Sequence, residues 1–171
     1  MRRRSVLSGI AGAASLGSLS TLSGCLSLGG SSSGASLEEH PASRNLDGQP
    51  YLGDPPTDAE KLIVAFEDPT CSSCQRFHAN SFQDVKREIV EPESASFVFR
   101  PFRYTGRAWA TGAIHATLAV TARDRATAWD LLDFYYENTY SISGSSFAEQ
   151  TRSFLTENTD LDADAILQAA D

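Results

Sequence analysis

Cys71 and Cys74, separated by Ser72 and Ser73, are the residues of this chain best suited to chemistry. A thiolate is the nucleophile of disulfide exchange. Two cysteines at i and i+3 on a helix share a face and lie close enough to close a disulfide. Placed at the start of a helix, the first sulfur also gains partial positive charge from the helix N-terminus, which favours its thiolate. The pattern points to a dithiol that cycles between thiol and disulfide.

The flanking residues supply the elements such a site needs. An apolar run, Leu62-Ile63-Val64-Ala65-Phe66, reads as a strand, and Glu67-Asp68-Pro69-Thr70 reads as a turn. A helix is expected from about residue 71 to 90, with room for a break, ending before Glu91-Pro92; Phe77, Phe82, Val85 and Ile89 approximate one face. Ser96-Phe97-Val98-Phe99-Arg100-Pro101-Phe102 then alternates as a second strand. Strand, helix, strand implies a parallel pair. The remainder reads as helices over 108–122 and 126–138, a third opening at Gly144-Ser145-Ser146, and a fourth over 165–170 capped by Leu161-Asp162-Ala163-Asp164. Trp129, Phe134, Tyr135 and Tyr136 are expected in the core, with a peptide-binding surface near the dithiol as the sharper alternative.

The N-terminus reads as an address. Arg2-Arg3-Arg4-Ser5-Val6-Leu7 is basic and carries a twin-arginine pattern at Arg3 and Arg4. The Ala-, Gly- and Ser-rich stretch over 9–22 is too short and too weakly apolar for a span of about 20 residues. It ends in Leu22-Ser23-Gly24-Cys25, which resembles a lipobox: the signal is cut before the cysteine and the sulfur takes a lipid. A plain signal peptide with a stray cysteine is the other reading. Cysteine arithmetic favours lipid attachment at Cys25, because three cysteines leave one over once Cys71 and Cys74 pair. The expected domains are a signal at 1–24, then Cys25 with a Gly/Ser tether and an irregular lead-in over 25–57, and a folded domain over 58–171.

Charge narrows the partners. Of the 14 basic residues three lie in the first 24, leaving 11 against 22 acidic ones, a net charge near −11. Lys61 and Lys86 are the two lysines. Such a surface repels phosphates, which argues against nucleic acid. It suits very high salt, where screening removes self-repulsion, and with a twin-arginine signal it fits a haloarchaeal origin. An ordinary acidic exported protein is the blander reading. Arg100, Arg103 and Arg107 form a local basic cluster, expected to pair with the acidic excess.

Phe66-Glu67-Asp68-Pro69-Thr70-Cys71-Ser72-Ser73-Cys74-Gln75-Arg76-Phe77 resembles the active-site segment of DsbA-like proteins, thiol–disulfide oxidoreductases of the thioredoxin superfamily. Val98-Phe99-Arg100-Pro101-Phe102 resembles their second strand, and the stretch from Ala108 onward their helical insertion. The resemblance implies an α/β fold, a thioredoxin-like βαβ unit with an inserted helical domain over about 108–171. It implies Cys71 and Cys74 as the catalytic, redox-active pair, with Cys71 exposed and Cys74 one turn inward. No cofactor follows from it. The implied partners are exported protein thiols or disulfides and a membrane redox partner, in an extracytoplasmic, lipid-anchored setting.

Two departures from that pattern set expectations. The family completes its fold with a cis-proline loop and further strands; here the last proline is Pro101, so those strands are expected to be missing from this sequence. A two-stranded sheet with a bare edge is then expected, with marginal stability. The acid that many relatives place six residues before the first cysteine is Ala65 here, with Glu67 and Asp68 expected on an exposed turn.

Two other chemistries compete. Cys71, Cys74 and His78, joined by His115, offer a metal set, though zinc prefers four ligands at tighter spacing. A degenerate, non-catalytic module is the other. Neither a Ser/His/Asp set nor a glycine-rich phosphate loop after a strand presents itself.

Overall fold

The computed structural model describes residues 39–46, 48–92 and 95–171. Arg3, Arg4, Cys25, the signal and the Gly/Ser tether lie outside the described residues.

Among the described residues the sheet has three strands, not the expected two. β1 (Tyr51–Gly53) comes from the lead-in, β2 (Lys61–Glu67) precedes the cysteines, and β3 (Ala95–Pro101) lies between them in the order β1-β3-β2. β2 and β3 are parallel as expected, in register from Lys61↔Ala95 to Glu67↔Pro101. β1 runs antiparallel to β3, with Leu52 opposite Phe97 and Gly53 opposite Ser96. A glycine is required at that end. Gly53 has φ +80°, and a Cβ there would stand 2.1 Å from the Ala95 carbonyl oxygen. Residues 95–99 of the central strand are all buried, which fits their near-continuous small and apolar run.

Helix α1 (Ser72–Ala79) follows β2. The expected break falls at Asn80, whose side-chain amide donates to the Arg76 carbonyl at 2.7 Å. A short helix α2 (Phe82–Val85) and a single π turn (Lys86–Val90) lead back to β3. Four helices follow: α3 (Ala110–Thr121), α4 (Arg125–Glu137), α5 (Phe147–Asn158) and α6 (Ala163–Ala170). Asp124 caps α4 by accepting from the Ala126 and Thr127 amides, and Asp162 caps α6 through Ala165. No helix among the described residues is long and apolar enough to cross a membrane.

α4 joins two cores. Its Trp129, Leu132 and Tyr136, spaced i, i+3, i+7, pack with Phe82, Val90, Phe97 and Phe99 under the sheet. Its Ala128, Leu131 and Tyr135, one residue earlier in the same rhythm, join Trp109, Ala113, Ala116, Leu155 and Ile166 in the helical block. The expectation that Trp129, Tyr135 and Tyr136 are core residues holds, and Phe134 is partly buried against the block. The Trp129 indole also donates to the Tyr51 carbonyl at 3.2 Å, tying α4 to β1.

Candidate active site

Parallel pairing brings the loops after β2 and β3 to the same end of the sheet, and the site is built between them. The first loop carries Cys71 and the second carries Tyr104. The Phe102 amide donates to the Glu67 carbonyl at 2.8 Å, which holds the two loops together where they leave the sheet.

Asp68 is the clamp. Fully buried, it accepts five hydrogen bonds. One carboxylate oxygen takes the Thr70 amide at 2.9 Å and the Thr70 hydroxyl at 2.6 Å. The other takes the Tyr104 and Thr105 amides, each at 3.0 Å, and the Thr105 hydroxyl at 2.9 Å. Burial alone would raise its pKa. The donors from Thr70, Thr105 and Tyr104 outweigh that and hold the carboxyl below its ordinary value.

Cys71 is the N-cap of α1, and its sulfur accepts the Cys74 amide at 3.3 Å. The Tyr104 hydroxyl is hydrogen-bonded to the same sulfur and lies 3.5 Å from Cys74 Sγ. Both cysteines are free thiols. Cys71 was expected to be exposed; at 4% exposure it is not, because the second loop sets the Tyr104 hydroxyl on its sulfur. Cys74 is half-buried and packs against the core under the sheet.

The two thiols differ electrically. Burial works against the Cys71 thiolate, but the Tyr104 hydroxyl, the Cys74 amide and thiol and the Ser73 amide prevail, and its pKa is lowered. Burial pushes Cys74 up to about 11, helped by the Cys71 sulfur and its charge. Tyr104 is raised well above an ordinary phenol, first by its bond to Cys71 and then by Cys74. Cys71 is thus the more acidic of the two thiols and Cys74 the one that keeps its proton, the ordering that a nucleophilic and a resolving cysteine need.

Glu67 and Asp68 are buried rather than exposed. β2 extends through Glu67, and strand alternation turns its side chain inward while Phe66, one residue earlier, faces out. Glu67 Oε2 accepts the Tyr136 hydroxyl at 2.6 Å and meets His78 Nε2 at 2.9 Å. His78 Nδ1 lies 3.5 Å from Asp133. Burial opposes the charged imidazole, but Asp133 and Glu67 outweigh it, so the His78 pKa is raised.

His78 is therefore committed to two carboxylates, and His115 faces the Ala170 carbonyl at 3.3 Å in the helical block. The structure does not bring these histidines to the sulfurs. Among the described residues no three His, Cys, Asp or Glu side chains gather as a metal site. The arginine cluster differs from expectation too. Arg100 donates to the carbonyls of Ala42 and Arg44, and Arg107 to that of Thr139 at 2.8 Å, so both tie loops down, and among the described residues neither is seen paired with an acid.

Residues 45–170 match the protein family described as Thioredoxin. The chain belongs to the thioredoxin family. Solved structures place this thioredoxin chain among DsbA-type folds. BdbD from Bacillus subtilis, in its oxidised form, superimposes with a TM-score of 0.63 at 21% identity, covering 73% of this chain and 66% of that one. Wolbachia pipientis alpha-DsbA1 gives 0.58 at 20% identity, covering 72% and 59%. The catalytic domain of Proteus mirabilis ScsC gives 0.56 at 21% identity, covering 78% and 73%. Among curated relatives, the Disulfide bond formation protein D of Bacillus subtilis (strain 168) is 27% identical over 93 residues. That stretch is 54% of this chain and 40% of that protein, so the match spans less than half of the relative's length.

Asp68 and Tyr104 were not singled out from sequence as site residues. Asp68 left a signal: an aspartate two residues before Thr70 is the pattern of an Asx turn, which Asp68 makes with the Thr70 amide. Tyr104 left no local one, since it lies 33 residues from Cys71. The predicted parallel pair was its one pointer, because it places both loops at one end.

Proposed function

We propose that this chain is a thiol–disulfide oxidoreductase of the DsbA type, acting through the Cys71-Ser72-Ser73-Cys74 dithiol. The observation that carries the reading is the environment of Cys71: a helix-capping sulfur that accepts both a backbone amide and a phenol hydroxyl, beside a partner thiol that keeps its proton. In the oxidising direction a substrate thiolate attacks Cys71 Sγ of the closed pair. The Cys71–Cys74 bond breaks and its electron pair goes to Cys74. A second substrate thiolate then attacks the substrate sulfur of the mixed disulfide. The substrate leaves with a disulfide and the enzyme as a dithiol. The reverse sequence reduces a substrate disulfide.

The setting belongs to the same proposal. Arg3 and Arg4 form a twin-arginine export signal, Cys25 carries a lipid, and the Gly/Ser tether holds the domain off the outer face of the membrane. The acidic, lysine-poor composition suits a halophilic cell. Substrates are exported protein thiols and disulfides, and a membrane redox protein resets the pair.

The test is a redox titration of the full chain in molar salt, following the Cys71 and Cys74 thiols by alkylation mass shift across a dithiol buffer series. One two-electron transition well above about −300 mV, the range of structural disulfides, is expected. A pair that stays locked oxidised, that alkylates like peptide thiols throughout, or that is protected only by added metal overturns the reading.

A further inference from the structure

The Tyr104 hydroxyl reaches both sulfurs, touching Cys71 Sγ and standing 3.5 Å from Cys74 Sγ. Its backbone is fixed, because its amide is clamped by Asp68. Tyr104 as a residue is 52% exposed, and its ring rests on the Phe102 ring, with centroids 6.1 Å apart. The ring can therefore pivot while the loop stays in place. A phenol has one hydrogen to donate and serves one sulfur fully at a time.

We propose that Tyr104 is a catalytic residue that hands one hydrogen bond back and forth between the two sulfurs, resting on Cys71 in the dithiol and moving to Cys74 as the mixed disulfide forms. This rests on the oxidoreductase reading above. In the dithiol Cys71 is nearly inaccessible where the hydroxyl caps it, so a substrate sulfur bonded to Cys71 needs that place vacated. When the substrate thiolate bonds to Cys71 Sγ, the Cys71–Cys74 bond breaks and the electron pair collects on Cys74 Sγ. That is where the displaced hydroxyl now points. The motion that uncovers Cys71 thus delivers a donor to the leaving sulfur. In the second step the electron pair collects on Cys71 as the substrate disulfide departs, and the hydroxyl returns. No proton leaves the phenol in either step; it donates a hydrogen bond and stays neutral. Two features fit that duty. Cys74, with a pKa of about 11, is a poor leaving thiolate that gains from a donor. The phenol, raised by the same two sulfurs, does not ionise beside them.

The test compares the full wild-type chain with Tyr104→Phe and Tyr104→Ala. Three quantities are read: the Cys71 pKa from the pH dependence of iodoacetamide alkylation, the equilibrium with glutathione, and the rate at which the oxidised pair reacts with a dithiol peptide. Losing a donor worth about 1.5 kcal/mol corresponds to about tenfold. Both variants are expected to raise the Cys71 pKa by about one and shift the glutathione equilibrium about tenfold toward the enzyme disulfide, roughly 30 mV more reducing. Both are expected to slow attack on the oxidised pair by about tenfold. Only Tyr104→Ala, which also removes the cap, is expected to speed alkylation of fully ionised Cys71. Site-specific 3-fluorotyrosine at position 104, a stronger donor of nearly the same shape, is expected to shift pKa and equilibrium in the opposite direction. Variants with wild-type pKa, equilibrium and rate overturn the inference, as does a 3-fluorotyrosine protein that moves the same way as Phe. A wild-type chain with no two-electron transition is a different result, because it removes the oxidoreductase reading itself.

Discussion

The end of the sheet and the helical block are stabilised in opposite ways. Around the dithiol, buried charge is held by hydrogen bonds: Asp68 by five donors, Glu67 by Tyr136 and His78. In the block, Ala113, Ala116, Ala163 and Ala170 let α3, α4 and α6 approach closely around Leu131, Tyr135, Leu155 and Ile166, with hardly any charge inside. A polar clamp fixes loops in one geometry but leaves costly orphans when one member is lost. An apolar core tolerates adjustment and loses stability in proportion to the volume removed. The first region is suited to positioning sulfurs, and the second to holding the first in place.

Breaking the two regions separately tests this division, and the largest effect falls on chemistry. Cys71→Ser is expected to abolish the two-electron transition entirely, while the unfolding free energy in the reduced state changes by about 1 kcal/mol or less. Redox titration beside urea denaturation reads both. A large stability loss would show that the Cys71 sulfur holds the fold as well as the chemistry.

Next in size is the clamp. Asp68→Ala leaves the Tyr104 and Thr105 amides without their acceptor, at a cost of about 3–5 kcal/mol. The Cys71 pKa should rise with it, because Tyr104 is no longer held. In the block, Leu155→Ala opens a cavity in a fully buried position and should cost about 3 kcal/mol. There the Cys71 pKa should stay at its wild-type value, as read by alkylation. A shift in Leu155→Ala as large as in Asp68→Ala would erase the distinction between the regions.

The same contrast explains what sequence could reveal. The helices of the block were legible to within about two residues, because apolar positions at helical spacing and the acidic cap at Asp162 are local signals; the Asp124 cap of α4 went unread. So were β2, β3 and the dithiol between them. β1 was missed because three residues, Tyr51-Leu52-Gly53, are too few to show a period and become a strand only by pairing with β3. The buried state of Glu67 and Asp68 was missed because charge ordinarily marks a surface. Of the partners that reverse this, Tyr136 and Thr105 arrive from distant segments, and His78 from α1, which folds back onto the end of β2.

Titration separates two groups near the site by the sign of their effect. Asp68 has a lowered folded pKa, so its stabilisation is complete above the unfolded value near 3.9 and is lost as pH falls through the folded one. His78 has a raised folded pKa. Its stabilisation is complete below the unfolded value near 6.5 and is lost as pH rises through the folded one. Urea midpoints across pH should therefore fall on both sides, and His78→Gln should flatten the alkaline side while leaving the acid side intact. An unchanged alkaline slope in that variant would place the titrating group elsewhere.

The smallest effect comes from two terms that nearly cancel. Gly112 lies inside α3, where alanine would gain about 1 kcal/mol of helix propensity. A Cβ there would stand 2.6 Å from the Phe147 ring, which stacks on Trp109 with centroids 6.3 Å apart. Overpacking of this kind costs about 1–3 kcal/mol. Phe147 is partly buried at the margin of the block, so its ring can slide outward at the expense of that stack. Gly112→Ala is thus expected to destabilise by about 1 kcal/mol, the clash slightly exceeding the propensity gain. Phe147→Leu removes the obstructing ring edge. In its background the same Gly112→Ala change should become neutral or stabilising, and the double-mutant cycle in urea would read that change of sign as coupling between the two residues.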